Sequence, residues 1–176
     1  MWTEPYESVV ATGAHTWTYT SSREGSVKLG FRVIFAVAGH VVGMRYLRHP
    51  SDHGAHVASI HADDGGAPFG WGMQTPPLQL DTPETGSWMN LWMHPRAPVA
   101  AGVEYEAGIY FSDGWYAYEP GGLSSALVSG NVTLPANIPD GRRNGIFTYS
   151  RLLDSDWGGS SGTLYGIDIL FLANRW

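Results

Sequence analysis

His49, His53, His56 and His61 fall between positions 49 and 61, a spacing at which imidazoles can share a metal ion if one loop gathers them. Two-residue strand periodicity argues against that use. It sends His56 and His61, five apart, to opposite faces, and no nearby carboxylate completes a ligand set. The reading is that His56 hydrogen-bonds a loop backbone, that the other three are exposed, and that no metal is held. Asp63-Asp64-Gly65 and Asp113-Gly114 offer oxygen ligands for calcium. Their spacing falls short of a defined calcium loop, and Asp-Gly is first of all a turn signal, so no cofactor is expected. Arg45 and Asp168 each lie in the middle of an apolar run, where a charge is unusual unless paired. The two are expected to form a buried structural ion pair. No nucleophile elbow or phosphate-cradling loop occurs; Gly158-Gly159-Ser160-Ser161-Gly162 reads as a flexible turn. No catalytic residue is expected, and the chain is read as a non-enzyme. The chemistry that remains is recognition. Trp115, Tyr116 and Tyr118 follow the Asp113-Gly114 turn, where aromatics can stack on a sugar ring or anchor a protein contact. Alternation places Tyr116 and Tyr118 on one face and Trp115 on the other, with Trp115 the most exposed of the three.

The elements that position these residues are strands. The segments 27–33 (VKLGFRV), 40–47 (HVVGMRYL), 56–61 (HVASIH), 88–93 (WMNLWM), 103–112 (VEYEAGIYFS), 145–150 (GIFTYS) and 164–172 (LYGIDILFL) are rich in β-branched and aromatic residues, and several alternate with period two. Turn clusters separate them at 49–52, 63–66, 75–77, 83–86, 101–102, 112–114 and 139–141. A 3.6-residue apolar period is missing throughout. The expected fold is all-β, an antiparallel two-sheet sandwich of jelly-roll type. Residues 121–144 read as the longest loop. Residues 1–22 read as an N-terminal arm pinned by Trp17 and Tyr19, and 23–176 as the sandwich domain. An arm docked on a neighbouring copy would, when deleted, weaken self-association and leave the sandwich folded.

Composition narrows the partners. The 176 residues suffice for one domain, which at this size buries roughly 70% of its unfolded surface. Without cysteine, neither disulfides nor thiolate zinc sites are available. A net charge of -6 and the lack of a basic run argue against nucleic acid as a partner. The sequence lacks the roughly 18 consecutive apolar residues a membrane span needs, and MWTEPYESVV does not read as an export signal. Charged residues make up 15% and aromatics 13%. The first figure is well under the usual value of about 25%, which suits a chain that shows aromatic patches to a partner.

The order of motifs resembles a bacterial module, the domain of unknown function 4082 family. Leu29-Gly30-Phe31-Arg32 is similar to its opening strand, and Gly39-His40-Val41-Val42-Gly43-Met44-Arg45-Tyr46 to the strand after it. Gly54-Ala55-His56 with Ser59-Ile60-His61, Gly86-Ser87-Trp88, and Pro98-Val99 with Ala101-Gly102-Val103-Glu104-Tyr105 continue the series. Gly114-Trp115-Tyr116-Ala117-Tyr118, Leu134 with Ala136, Asn144-Gly145-Ile146-Phe147 with Tyr149, and Tyr165 through Phe171 complete it. His61 stands where the family carries tryptophan, Ser87 intrudes before Trp88, and Gly166 replaces a bulky aromatic. The resemblance implies a jelly-roll-like sandwich found as an accessory module of secreted, carbohydrate-linked proteins and in some phage structural proteins. It brings no catalytic residues.

Two functions are therefore expected. The first is a non-catalytic virion protein, such as a phage minor tail, tail-tip or capsid-decoration protein, contacting other virion proteins, its own copies in a homo-oligomer, and a cell-surface glycan of the host. It follows from a secreted-type module that reads as free-standing and without an export signal, located in the virion. The second is a carbohydrate-binding accessory module of a secreted protein, located outside the cell or at its surface.

Overall fold

The structure, a computed structural model, describes residues 6–10, 14–20, 25–62, 67–74, 86–138, 144–149, 157 and 159–174. The expected turns at 63–66, 75–77 and 139–141, and most of 83–86, lie outside these residues, as does Asp63-Asp64-Gly65. Among the described residues there are fourteen strands in three antiparallel sheets and no helix.

The large sheet is built on β2 (Val27–Phe35) and β7 (Glu104–Phe111), with β4 (His56–Ala62) and β5 (Gly70–Gln74) on one side and β11 (Gly145–Thr148) and β12 (Gly159–Ser161) on the other. The hairpin β9 (Leu127–Ser129) and β10 (Val132–Leu134) joins the same sheet through β2. The small sheet has the order β14 (Ile167–Ala173), β3 (Gly39–Leu47), β6 (Trp88–Val99). Three short strands, β1 (Thr18–Tyr19), β8 (Ala117–Glu119) and β13 (Leu164–Tyr165), form a third sheet. Neighbours such as β2 and β7, or β3 and β14, are remote in sequence, as jelly-roll connections require.

Period-two alternation explains the core. Val27, Leu29, Phe31, Val33 and Phe35 of β2 point inward together with Tyr105, Ala107, Ile109 and Phe111 of β7. Against them pack Val41, Met44 and Tyr46 of β3, Leu91 and Met93 of β6, and Ile167, Ile169 and Phe171 of β14. The two layers meet ring to ring, Phe35 on Phe171 at 4.7 Å and Tyr46 on Phe111 at 5.7 Å between centroids. Dry contacts of this kind supply most of the stabilisation.

Several segments differ from the sequence reading for identifiable reasons. The strand over 88–93 continues to Val99, because residues 93–96 bulge opposite Val42 and pairing resumes at Ala97. Proline is tolerated there because β6 is an edge strand. The loop read over 121–144 contains the β9–β10 hairpin, turned at Gly130 with φ of 55°. The glycine-serine turn is partly strand β12, paired with β11. The run 164–172 is broken at Gly166, whose N–H donates to Ala117 O while its carbonyl accepts from Leu47 N–H. The chain passes from the third sheet to the small one at that point. A Cβ there would lie 3.0 Å from Ala117 Cβ and 3.1 Å from Leu47 Cβ, which accounts for glycine at this position.

β10 and β11 pair with successive parts of the same side of β2, leaving a gap at Arg32. The buried Asn144 side chain fills it. Its Oδ1 accepts from Arg32 N–H at 2.5 Å, and its Nδ2 donates to the carbonyls of Arg32 at 3.2 Å and Pro135 at 2.7 Å. Backbone groups that would otherwise be orphaned are thereby satisfied.

Candidate binding face

Asp168 is fully buried on β14, directly across from Arg45 on β3. Arg45 donates to Asp168 Oδ2 from Nε at 3.2 Å and from a terminal guanidinium nitrogen at 3.0 Å. Burying a carboxylate costs several kcal/mol, and one guanidinium that is 21% exposed offsets only part of that. The remainder comes from backbone. Asp168 Oδ1 accepts from the N–H groups of Val9 at 3.0 Å, Val10 at 3.1 Å and Ile169 at 2.8 Å.

The arm is thus built into the outer side of the small sheet of its own chain. Glu7 exchanges two backbone hydrogen bonds with Phe171, Ser8 Oγ accepts from Arg45 at 2.6 Å, and Val9 and Val10 join the core cluster. The Glu7 carboxylate accepts from Asn131 N–H and Nδ2. Further on, Trp17 meets Trp88 edge to face at 6.1 Å, and β1 pairs with β8. Residues 6–10 and 14–20 thus pack on their own chain.

Glu119 clamps the second half of this arm, accepting from Thr16 N–H at 3.0 Å and lying 2.8 Å from His15 Nδ1. Burial raises its pKa, but the Thr16 N–H and His15 outweigh burial and hold the carboxyl below its ordinary value. A carboxylate lowered in the folded state stabilises it above the unfolded pKa of about 4.3 and loses that contribution as pH falls through the folded value. The protection of the Thr16 amide, its exchange measured against the intrinsic rate at the same pH, is therefore expected to fall below about pH 4, and in Glu119→Gln to be low already at neutral pH. Unchanged Thr16 protection in both experiments would refute the clamp.

With the arm in place, the most conspicuous feature of the small sheet is a pair of aromatic rings in solvent. Trp92 of β6 is 46% exposed and Tyr6 of the arm 38%, with centroids 5.5 Å apart and planes tilted by 54°. Gly43, opposite Trp92 on β3, makes room for the indole. A Cβ there would come 3.3 Å from Trp92 Cε3 and 2.6 Å from the Leu91 carbonyl. Trp88, Asn90 and Trp92 alternate along one side of β6 while Leu91 and Met93 face the core. Beyond Trp92 the bulge carries exposed His94, Pro95 and Arg96. The sequence reading passed over this pair. The signal was Asn90: a polar residue between two tryptophans marks the solvent side of the strand, and Trp92 shares it.

The residues that the sequence singled out are more enclosed. Trp115 is half-buried and stacks on His49 at 4.7 Å and 25°. Tyr116 and Tyr118 lie 6.1 Å apart and pack against the core cluster. Histidine assignments change as well. His49, not His56, bonds loop backbone: its Nε2 donates to Thr20 O at 2.9 Å and its Nδ1 accepts from Ser51 N–H at 3.0 Å. His56 is buried, stacked on Tyr46 at 4.1 Å. Its Nε2 lies 3.0 Å from Asp52 Oδ2 but off the line of a hydrogen bond. His61 is buried on the other side of the large sheet, and His53 is exposed. Among the described residues, no three His, Asp or Glu side chains converge as metal ligands.

That other side holds a polar trough. Gly30 and Gly108 leave a groove in which Trp157 sits, its Cη2 at 2.6 Å from where either Cβ would be. Lys28, fully buried, runs beneath it, with Nζ 4.6 Å from the Trp157 ring centroid and 3.0 Å from His61 Nε2. Ser59 Oγ lies 3.1 Å from the same imidazole nitrogen. A tryptophan at position 61 would have to displace this amine, so the smaller imidazole fits here. Lys28 is the chain's single lysine. An amine-reactive acetylating reagent is expected to spare Lys28 in the native protein until denaturant is added. Native labelling of Lys28 at the rate of an unfolded peptide, read by peptide mass spectrometry, would contradict the trough.

A shallow cleft lined by Arg32, Glu104, Pro135, Ala136, Ile138 and Asn144 lies open to solvent and has room for little more than a water molecule. No curated protein matches the chain in a sequence comparison. The model of the family described as Domain of unknown function (DUF4082) matches residues 14–155, from the arm to beyond β11, and the chain belongs to that family.

Proposed function

We propose that this protein is a non-catalytic contact protein of a virion, a minor tail, tail-tip or capsid-decoration component that presents a rigid aromatic face to the surface it meets. The observation that carries the reading is the Tyr6–Trp92 pair, exposed to solvent while the arm that carries Tyr6 is held by the buried Asp168 carboxylate through Val9 and Val10 and by the part-exposed Arg45 through Ser8. Half-exposed aromatics on a backbone that cannot yield lose little entropy on contact, which is where binding energy concentrates. The low content of charged residues supports assembly against protein neighbours.

A virion component works in copies, so the test is the mass of the purified chain by light scattering across concentrations that bracket the micromolar range. A discrete oligomer is the expected result. A monomer throughout would overturn the self-assembling virion reading. It would leave the second, a carbohydrate-binding accessory module of a secreted protein, which the ring-sized dimensions of the Tyr6–Trp92 platform favour.

A further inference from the structure

We infer that the Tyr6–Trp92 platform is a subsite for a pyranose ring of a surface glycan, a proposal that rests on this face being the contact face. Two features of the platform select this ligand chemistry. The first is its size. The other exposed large apolar residues, Val37, Val103, Val128, Ile138 and Tyr149, lie on other elements or on the loops between them. Among the described residues, the two rings are the exposed large apolar side chains of this face, a smaller area than the broad apolar patch at the centre of a protein interface. The second is its rim. The exposed positions of β6 are Asn90, Trp92, His94, Pro95, Arg96 and Pro98, so the strand that carries the indole also carries an amide, an imidazole and a guanidinium, with two prolines as its exposed aliphatic groups. A pyranose is the complement: a face of C–H groups that lies on an aromatic ring, with hydroxyls at its edge for donors and acceptors.

Geometry adds direction. Asn90 sits two residues from Trp92 on the same side of the strand, about 6.6 Å along it, and Trp88 the same distance further. Trp88 is partly covered by Trp17 and by the Arg45 guanidinium, 5.4 Å from its ring centroid, so Trp92 is the principal stacking ring and Asn90 the nearest polar contact. A glycan chain would follow β6, with the Asn90 amide reaching the hydroxyls of the ring stacked on Trp92. The charge on this strand is basic, in a chain of net charge -6, which admits neutral and carboxylated sugars alike.

The test is an array of immobilised pyranose oligosaccharides and bacterial cell-wall polysaccharides, probed with the full chain and with Trp92→Ala, Trp92→Tyr, Asn90→Ala and, as a control on the other sheet, Tyr149→Ala. The wild type is expected to retain at least one glycan, Trp92→Ala to lose at least tenfold in affinity, Asn90→Ala to lose severalfold, and Trp92→Tyr and Tyr149→Ala to remain near wild type. Trp92→Tyr keeps a ring at the position and guards against a folding artefact in the alanine variant. A wild type that binds no glycan, or a Trp92→Ala protein that binds as well as wild type, overturns the inference. Failure of the contact-face reading is distinguishable: in that case Trp92→Ala also leaves the solution mass unchanged, whereas a protein-contact face would lose its oligomer without ever binding a sugar.

Discussion

Asp168→Ala is expected to lower stability by about 3–5 kcal/mol, the cost of stranding a guanidinium in a partly buried site together with backbone donors that had a carboxylate to face. For a chain of this size that corresponds to a fall in the thermal midpoint of roughly 10 °C. The effect is large because one side chain satisfies three elements. Asp168 Oδ2 takes Arg45 from the neighbouring strand, and Oδ1 takes the Val9 and Val10 N–H groups from the arm as well as its own strand's Ile169 N–H. Arg45→Ala should cost less, since Asp168 would keep its three backbone donors. A loss below about 1 kcal/mol for Asp168→Ala would be the figure for a surface ion pair and would remove the anchor from the account.

Deleting residues 1–10 is expected to destabilise the sandwich by roughly 2–4 kcal/mol, and the source of that loss can be isolated. Removing the arm exposes Val9 and Val10, breaks the backbone exchange between Glu7 and Phe171, and takes two donors from Asp168; an unsatisfied buried acceptor costs about 1–3 kcal/mol. The deletion should therefore cost less in an Asp168→Ala background, with a coupling of at least about 1 kcal/mol in chemical denaturation. Strict additivity of the two changes would show that arm and carboxylate do not communicate.

Much of the fold is legible from alternation because β2, β4, β7 and β14 each place one apolar set toward the core. The Arg45–Asp168 contact is legible for a related reason: a charge in the middle of such a run has to be met by another. What escapes the sequence is whatever depends on contacts remote in the chain. Ser8, Val9 and Val10 have no period to betray them, since their place is fixed by a carboxylate near the other end. The β9–β10 hairpin is too short, and β12 too rich in glycine and serine, to register as apolar strands. The turn before Trp115 points to that residue over Trp92, yet His49 folds back to cover it. Trp92 stays open because Gly43 opposite it carries no side chain to raise a wall. The lone lysine of β2 was the clearest unread sign, a cation in a strand whose outward side turns out to be roofed by Trp157.

The most direct test of the binding face is hydroxyl-radical footprinting of the tryptophans, read by mass spectrometry in the free protein and in the presence of the polysaccharide it retains. Trp92 is expected to react faster than Trp17, Trp88, Trp115 and Trp157 in the free chain, and to be the tryptophan protected on binding. A bound state in which Trp92 stays fully reactive while another tryptophan is shielded would place the contact elsewhere and contradict the account.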